Sequence, residues 1–145
     1  MNAPEIEHLA DRLRPALQAR LELLDAYLFG SRARGDATQE SDIDVAVFVD
    51  RGRVPPSAFG YAATLTSDLM AALHESRIDV VVLNDAPPLL YHRVLRDGIR
   101  LLARSPEATT TREGRALSRY CDYLPQLKKI DSAHAARVAR GFTGR

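Results

Sequence analysis

The segment FGSRARGDATQESDIDVAVFV, residues 29–49, holds two different signals side by side. Its second half alternates. Ile43, Val45, Val47 and Val49 point to one side of an extended chain, and Asp42, Asp44, Ala46 and Phe48 to the other. That spacing predicts a strand over 42–49. Its first half is a Gly-Ser pair after an apolar stretch, then a polar loop over 30–41 with room for one helical turn. The stretch before it, LLDAYLF, is short, apolar and aromatic, and reads as a strand that ends at Gly30.

Working outward, Ile6, Leu9, Ala10, Leu13 and Leu17 recur at helical spacing, which predicts a helix from Glu5 to about Arg20 with a kink or break at Pro15. Ser57 to His74 reads as a helix burying Leu65, Leu69, Ala72 and Leu73. RIDVVVL, residues 77–83, is a third strand. A helix follows the Pro87-Pro88 pair and stops at Gly98, and Ile99–Leu102 forms a last short strand. The remainder reads as two helices, about Glu107–Leu124 and Ser132–Arg140, separated by Pro125. The order predicts an α/β (α+β) chain, a small mixed sheet with helices packed on it. The division expected is a domain over 1–104 with residues 105–145 as its helical C-terminal extension.

Composition narrows the class. With 145 residues, 46% apolar and 27% charged, the chain has the make-up of one globular domain. There is no apolar run of about 20 residues to span a membrane. The start lacks the apolar stretch of a signal peptide, and the single cysteine, Cys121, excludes an internal disulfide. These features lead to an expected cytoplasmic location. The net charge of +1 hides a division: residues 1–100 carry 11 basic and 15 acidic side chains, and residues 101–145 carry 9 and 4.

Three carboxylates sit inside apolar strands. Asp42 and Asp44 share a strand face, and Asp79 opens the third strand. If the two strands are neighbours, all three converge. Clustered carboxylates repel and raise one another's pKa. A hard divalent cation such as Mg²⁺, which takes oxygen ligands and substrate phosphates, removes that penalty. Upstream, the backbone at Gly30-Ser31 can approach an anion closely, and Arg32 and Arg34 add charge suited to phosphate.

Gly30-Ser31, ten intervening residues and Asp42-Ile43-Asp44 resemble the signature of the DNA polymerase beta-like nucleotidyltransferases. The segment 29–49, with RIDVVVLNDAPPLLYHRVLRDGIRLLAR at 77–104, is similar to the minimal nucleotidyltransferases among them. The resemblance covers about residues 5–104. It implies that Gly30 and Ser31 hold the β- and γ-phosphates of ATP, with Arg34 as a further triphosphate contact. It implies that Asp42, Asp44 and Asp79 are catalytic and ligate two Mg²⁺ ions, and that Asp79 orients or deprotonates the attacking hydroxyl. Short members of that group resemble antitoxins that transfer AMP to a tyrosine of a cognate HEPN ribonuclease toxin. Alternatives are a small-molecule (aminoglycoside-type) acceptor, or an antitoxin that masks its partner without catalysis. A homo-oligomer is possible under any of them. Nucleic acid is not the expected acceptor, because the basic tail is not interleaved with an aromatic binding surface. Arg112, Arg115, Arg119, Lys128 and Lys129 are the candidates for partner docking, and Tyr120, Tyr123 and Leu124 for packing. His8, His74, His92 and His134 read as surface or packing residues.

Overall fold

The computed structural model describes residues 3–36 and 41–143. The alternating segment forms strand β2 (Ile43–Val49), and LLDAYLF forms β1 (Leu23–Phe29). The two pair antiparallel, with Phe29 opposite Asp44 and Tyr27 opposite Ala46. Strand β3 (Ile78–Val82) lies parallel to β2, and β4 (Ile99–Ala103) lies antiparallel to β1. The resulting mixed sheet has the order β3-β2-β1-β4. The fold is α+β, as the residue pattern predicts.

The two sides of β2 serve two layers. Ile43, Val45, Val47 and Val49 face α1 (Ala3–Gln18) and α3 (Tyr61–Leu73), meeting Leu9, Leu13, Leu17, Leu65, Leu69 and Leu73. Ala46 and Phe48 face α4 (Pro88–Asp97) and α5 (Pro106–Thr143), in a smaller cluster with Tyr27, Phe29, Tyr91, Val94 and Ala116. A four-residue helix, α2 (Ser31–Arg34), lies in the loop between β1 and β2. Residues 37–40 of that loop lie outside the described residues.

The structure differs from the sequence reading in several places. Helix α1 runs through Pro15, because the buried stripe Leu9, Ala10, Leu13 and Leu17 holds both sides of the proline on the sheet. Helix α3 starts at Tyr61, after a turn in which the Ser57 hydroxyl donates to the Gly60 carbonyl. Ala72 is exposed rather than part of its buried face. The two expected C-terminal helices are one helix, with Pro125 inside it. Proline removes one backbone donor. Here Pro125 and Cys121 are both exposed, so the carbonyl that loses its partner can turn to water. No helix among the described residues is long and apolar enough to cross a membrane.

Helix α5 is seated by charge as well as by packing. Asp25, on β1, is fully buried. Its carboxylate accepts from Thr109 Oγ1 at 2.5 Å and from Arg112 Nε and Nη2 at 2.7 and 2.8 Å. Arg112 also lies over the Phe48 ring, 5.1 Å from its centroid. One turn on, Glu113 accepts from the Tyr27 hydroxyl at 2.7 Å and from Arg100 Nη2 at 2.6 Å. Burial, and then that hydrogen bond, push the Tyr27 phenol well above its ordinary pKa. His92 of α4 stacks on Tyr120 of α5 at 3.6 Å between ring centroids. Arg112 therefore belongs to the fold and is not free for a partner. Arg115, Arg119, Lys128 and Lys129 are exposed on the helix.

Candidate active site

The parallel pairing of β2 and β3 sets Asp44 directly beside Asp79 in register. Asp42 stands just before β2 and is exposed, Asp44 is half-buried, and Asp79 is exposed. Burial raises the Asp44 pKa first; the nearby charges of Asp79 and Asp42 raise it further, and Arg34 opposes them. The three carboxylates thus share one field, as the residue pattern predicts.

Gly30 caps α2 with φ 77° and ψ −158°, a region that side chains other than glycine avoid. A Cβ there would sit 2.1 Å from Oδ2 of Asp44. The end of β1 and the acidic side chain of β2 are therefore in close approach, and only a residue without a side chain fits. Replacing Gly30 by alanine is expected to cost about 1–3 kcal/mol of stability through backbone strain. It should also displace the Asp44 carboxylate. Thermal melts and a nucleotidyl-transfer assay check both effects. An alanine variant with unchanged rate would show that the close approach has no part in catalysis.

Ser31 is the first residue of α2. Its carbonyl accepts from the backbone of Asp36 at 3.2 Å, while Gly35, at φ 84°, closes the turn. Arg32 does not stand free over the site. Its Nε and Nη2 donate to the Ser41 carbonyl at 3.2 and 2.8 Å, which ties the far end of the loop next to Asp42. Arg34 lies close enough to Asp44 to oppose its raised pKa, and it meets two further acids, with Nε 3.2 Å from Asp36 Oδ2 and Nη1 3.7 Å from Asp97 Oδ2. The structure thus gathers Gly30, Ser31, Arg34, Asp42, Asp44 and Asp79 at the end of the sheet where β1 stops and β2 and β3 begin.

The donors there are carboxylate oxygens, which suit a hard cation. Among the described residues, no three His, Cys, Asp or Glu side chains close up into a ready-made metal cage. The set is open instead, the form expected where substrate oxygens supply further ligands. Burial first, and then the charges of Asp79 and Asp42, disfavour the ionised Asp44, and Arg34 opposes them. A divalent cation fits these residues.

The family described as polymerase beta, nucleotidyltransferase matches residues 11–107. That span includes every residue of the site and both strands that carry the carboxylates.

The chain belongs to this nucleotidyltransferase family.

Solved structures agree on the fold. A point mutant of the MntA–HpeT toxin–antitoxin pair is 25% identical, with TM-score 0.66, covering 86% of this chain and 96% of that one. A toxin–antitoxin structure with AMP-PNP is 24% identical, with TM-score 0.69 and coverage of 86% and 98%. A complex of tri-AMPylated Shewanella oneidensis HEPN toxin with its MNT antitoxin is 21% identical, with TM-score 0.66 and coverage of 89% and 98%. A comparison with curated proteins found no match. Asp25 and Asp44, both acids in apolar strands, have different surroundings. Asp25 is neutralised within the protein by Arg112, whereas Asp44 is held among like charges.

Proposed function

We propose that this nucleotidyltransferase moves AMP from ATP to a tyrosine hydroxyl of a cognate HEPN-type ribonuclease toxin, and so acts as an antitoxin. The observation that carries the reaction is the in-register pair Asp44–Asp79 against the side-chain-free cap at Gly30. The acceptor is supported by the likeness to the toxin–antitoxin structures, one with an ATP analogue and one with an AMPylated toxin.

In this reading the backbone at Gly30 and the Ser31 hydroxyl hold the β- and γ-phosphates, with Arg34 beside them. Asp42, Asp44 and Asp79 would hold two Mg²⁺ ions, which supply charge neutralisation for the triphosphate and acidify the acceptor hydroxyl. The hydroxyl oxygen attacks the α-phosphorus in line. The bond from that phosphorus to the β-bridging oxygen breaks, and pyrophosphate leaves. Asp79, at the outer edge of the pair, orients the hydroxyl and receives its proton. None of these roles needs a histidine.

The test is direct. The protein is purified with the product of the adjacent gene and incubated with ATP and Mg²⁺. The expected result is a mass gain of AMP units on a partner tyrosine. Modification of an aminoglycoside alone would replace the acceptor. Neutralisation of the partner that survives the joint Asp42→Ala and Asp44→Ala change would replace catalysis with masking. The distal part of α5 and its exposed Arg115, Arg119, Lys128 and Lys129 are the surface proposed for partner docking. Truncation at Ser105 does not test that surface, because it also removes Thr109 and Arg112 from buried Asp25.

A further inference from the structure

Asp97 is the last residue of α4. A carboxylate is poorly placed there, because the C-terminal end of a helix carries partial negative charge and favours cations. The side chain is nevertheless held, with only 14% of it exposed. Arg96 donates to it twice, from Nε to Oδ1 and from Nη2 to Oδ2, both at 3.0 Å. The same Oδ2 lies 3.7 Å from Nη1 of Arg34, across the gap between α4 and α2.

The backbone beside Asp97 has little freedom. Gly98 donates to the Val94 carbonyl at 2.7 Å, and a Cβ on Gly98 would lie 2.2 Å from that oxygen. The junction of α4 and β4 therefore admits no side chain, and Asp97 is presented from a fixed point. Arg34 has a competing partner in its own loop, Asp36, at 3.2 Å. Asp36 is exposed, so that pair alone leaves the guanidinium loosely placed. The contact that spans the two elements is the one to Asp97.

We propose that Asp97 is a positioning residue that holds the Arg34 guanidinium beside the Asp42, Asp44 and Asp79 cleft, ready for the phosphates of a nucleoside triphosphate. This rests on the nucleotidyl-transfer reading above. Asp97 touches neither the phosphates nor the acceptor and acts through Arg34.

The experiment uses the full chain and Mg²⁺ with AMP-PNP as the probe, read by titration calorimetry, with thermal melts alongside. Asp97→Asn should weaken binding by about tenfold, the ratio that corresponds to roughly 1.4 kcal/mol. Its melting temperature should fall by no more than an exposed ion pair is worth, since the Arg96 partner is itself exposed. Asp97→Glu, which keeps the charge, should recover part of the affinity. Arg34→Gln should weaken binding as well, and adding Asp97→Asn to it should cost nothing more. Asp97→Asn with wild-type or tighter binding would overturn the proposal, as would additive losses in the double variant. A lower melting temperature with affinity intact would also overturn it and make Asp97 purely structural. If the wild-type chain neither binds the analogue nor transfers AMP, the nucleotidyl-transfer reading itself falls, and this proposal with it.

Discussion

Asp44→Asn is expected to reduce nucleotidyl transfer about a thousandfold or more while the cation-free protein becomes no less stable. Loss of one metal-binding carboxylate removes several kcal/mol of charge stabilisation, and about 4 kcal/mol corresponds to that factor in rate. The stability half follows from the surroundings of Asp44. Its folded pKa is raised, by burial and then by Asp79 and Asp42. A raised carboxyl pKa means that the ionised form costs stability. The cost is absent below the unfolded value and grows as pH rises through the folded one. At neutral pH without a cation, the asparagine variant should therefore melt at or above the wild type. The difference should vanish as the solution is acidified into the ordinary carboxylate range. Adding Mg²⁺ should raise the wild-type melting temperature and leave the variant's in place. A variant that keeps its transfer rate, or gains as much from Mg²⁺ as the wild type, would remove Asp44 from the metal site.

The second large effect is on stability. Arg112→Met should cost about 3–5 kcal/mol, the loss expected when one partner of a buried ion pair is removed. For a chain of this length that lowers the melting temperature by roughly 10 °C. The asymmetry of the pair makes the prediction specific. Asp25 is fully buried, whereas 18% of the Arg112 side chain is exposed. Removing the arginine strands a carboxylate with Thr109 as its remaining side-chain donor. Removing the acid by Asp25→Asn leaves a guanidinium that can reach water, so its cost should be smaller. Replacing both partners by apolar residues should recover much of the loss, because no unpaired charge then remains. Chemical denaturation of the three variants checks the order. An Arg112→Met protein within 1 kcal/mol of wild type would show that the pair does not hold α5 on the sheet.

Much of the site was legible before any coordinates. Alternation in 42–49 assigns the faces of β2, and the Gly-Ser pair marks where β1 stops. Both are local signals, set by side-chain direction along an extended chain and by backbone freedom at glycine. The spacing of Gly30, Ser31, Asp42 and Asp44 is likewise a property of one continuous segment. The parallel pairing of β2 with β3 was a conditional expectation, and the register Asp44 to Asp79 is what brings the third acid in.

Other features depend on contacts between residues far apart in the chain. Asp25 lies in an apolar strand just as Asp44 does, so the residue pattern alone cannot separate them. The difference is a partner 87 residues away. The sequence groups Arg112 with the exposed cations of the tail, since helical spacing places it but does not say what it meets. Pro15 and Pro125 stay inside helices because a proline weakens a helix by one bond, while packing at the first and water at the second can absorb the loss. Asp97 gave no motif at all: a lone acid beside an arginine is ordinary, until the fold sets it opposite Arg34. The amino-acid sequence by itself determined the strands, the Gly-Ser turn and the spacing of Asp42 and Asp44, because each is written in one continuous segment. Only the tertiary structure decided which acids are paired within the protein and which stand among like charges, because charge balance depends on neighbours in space.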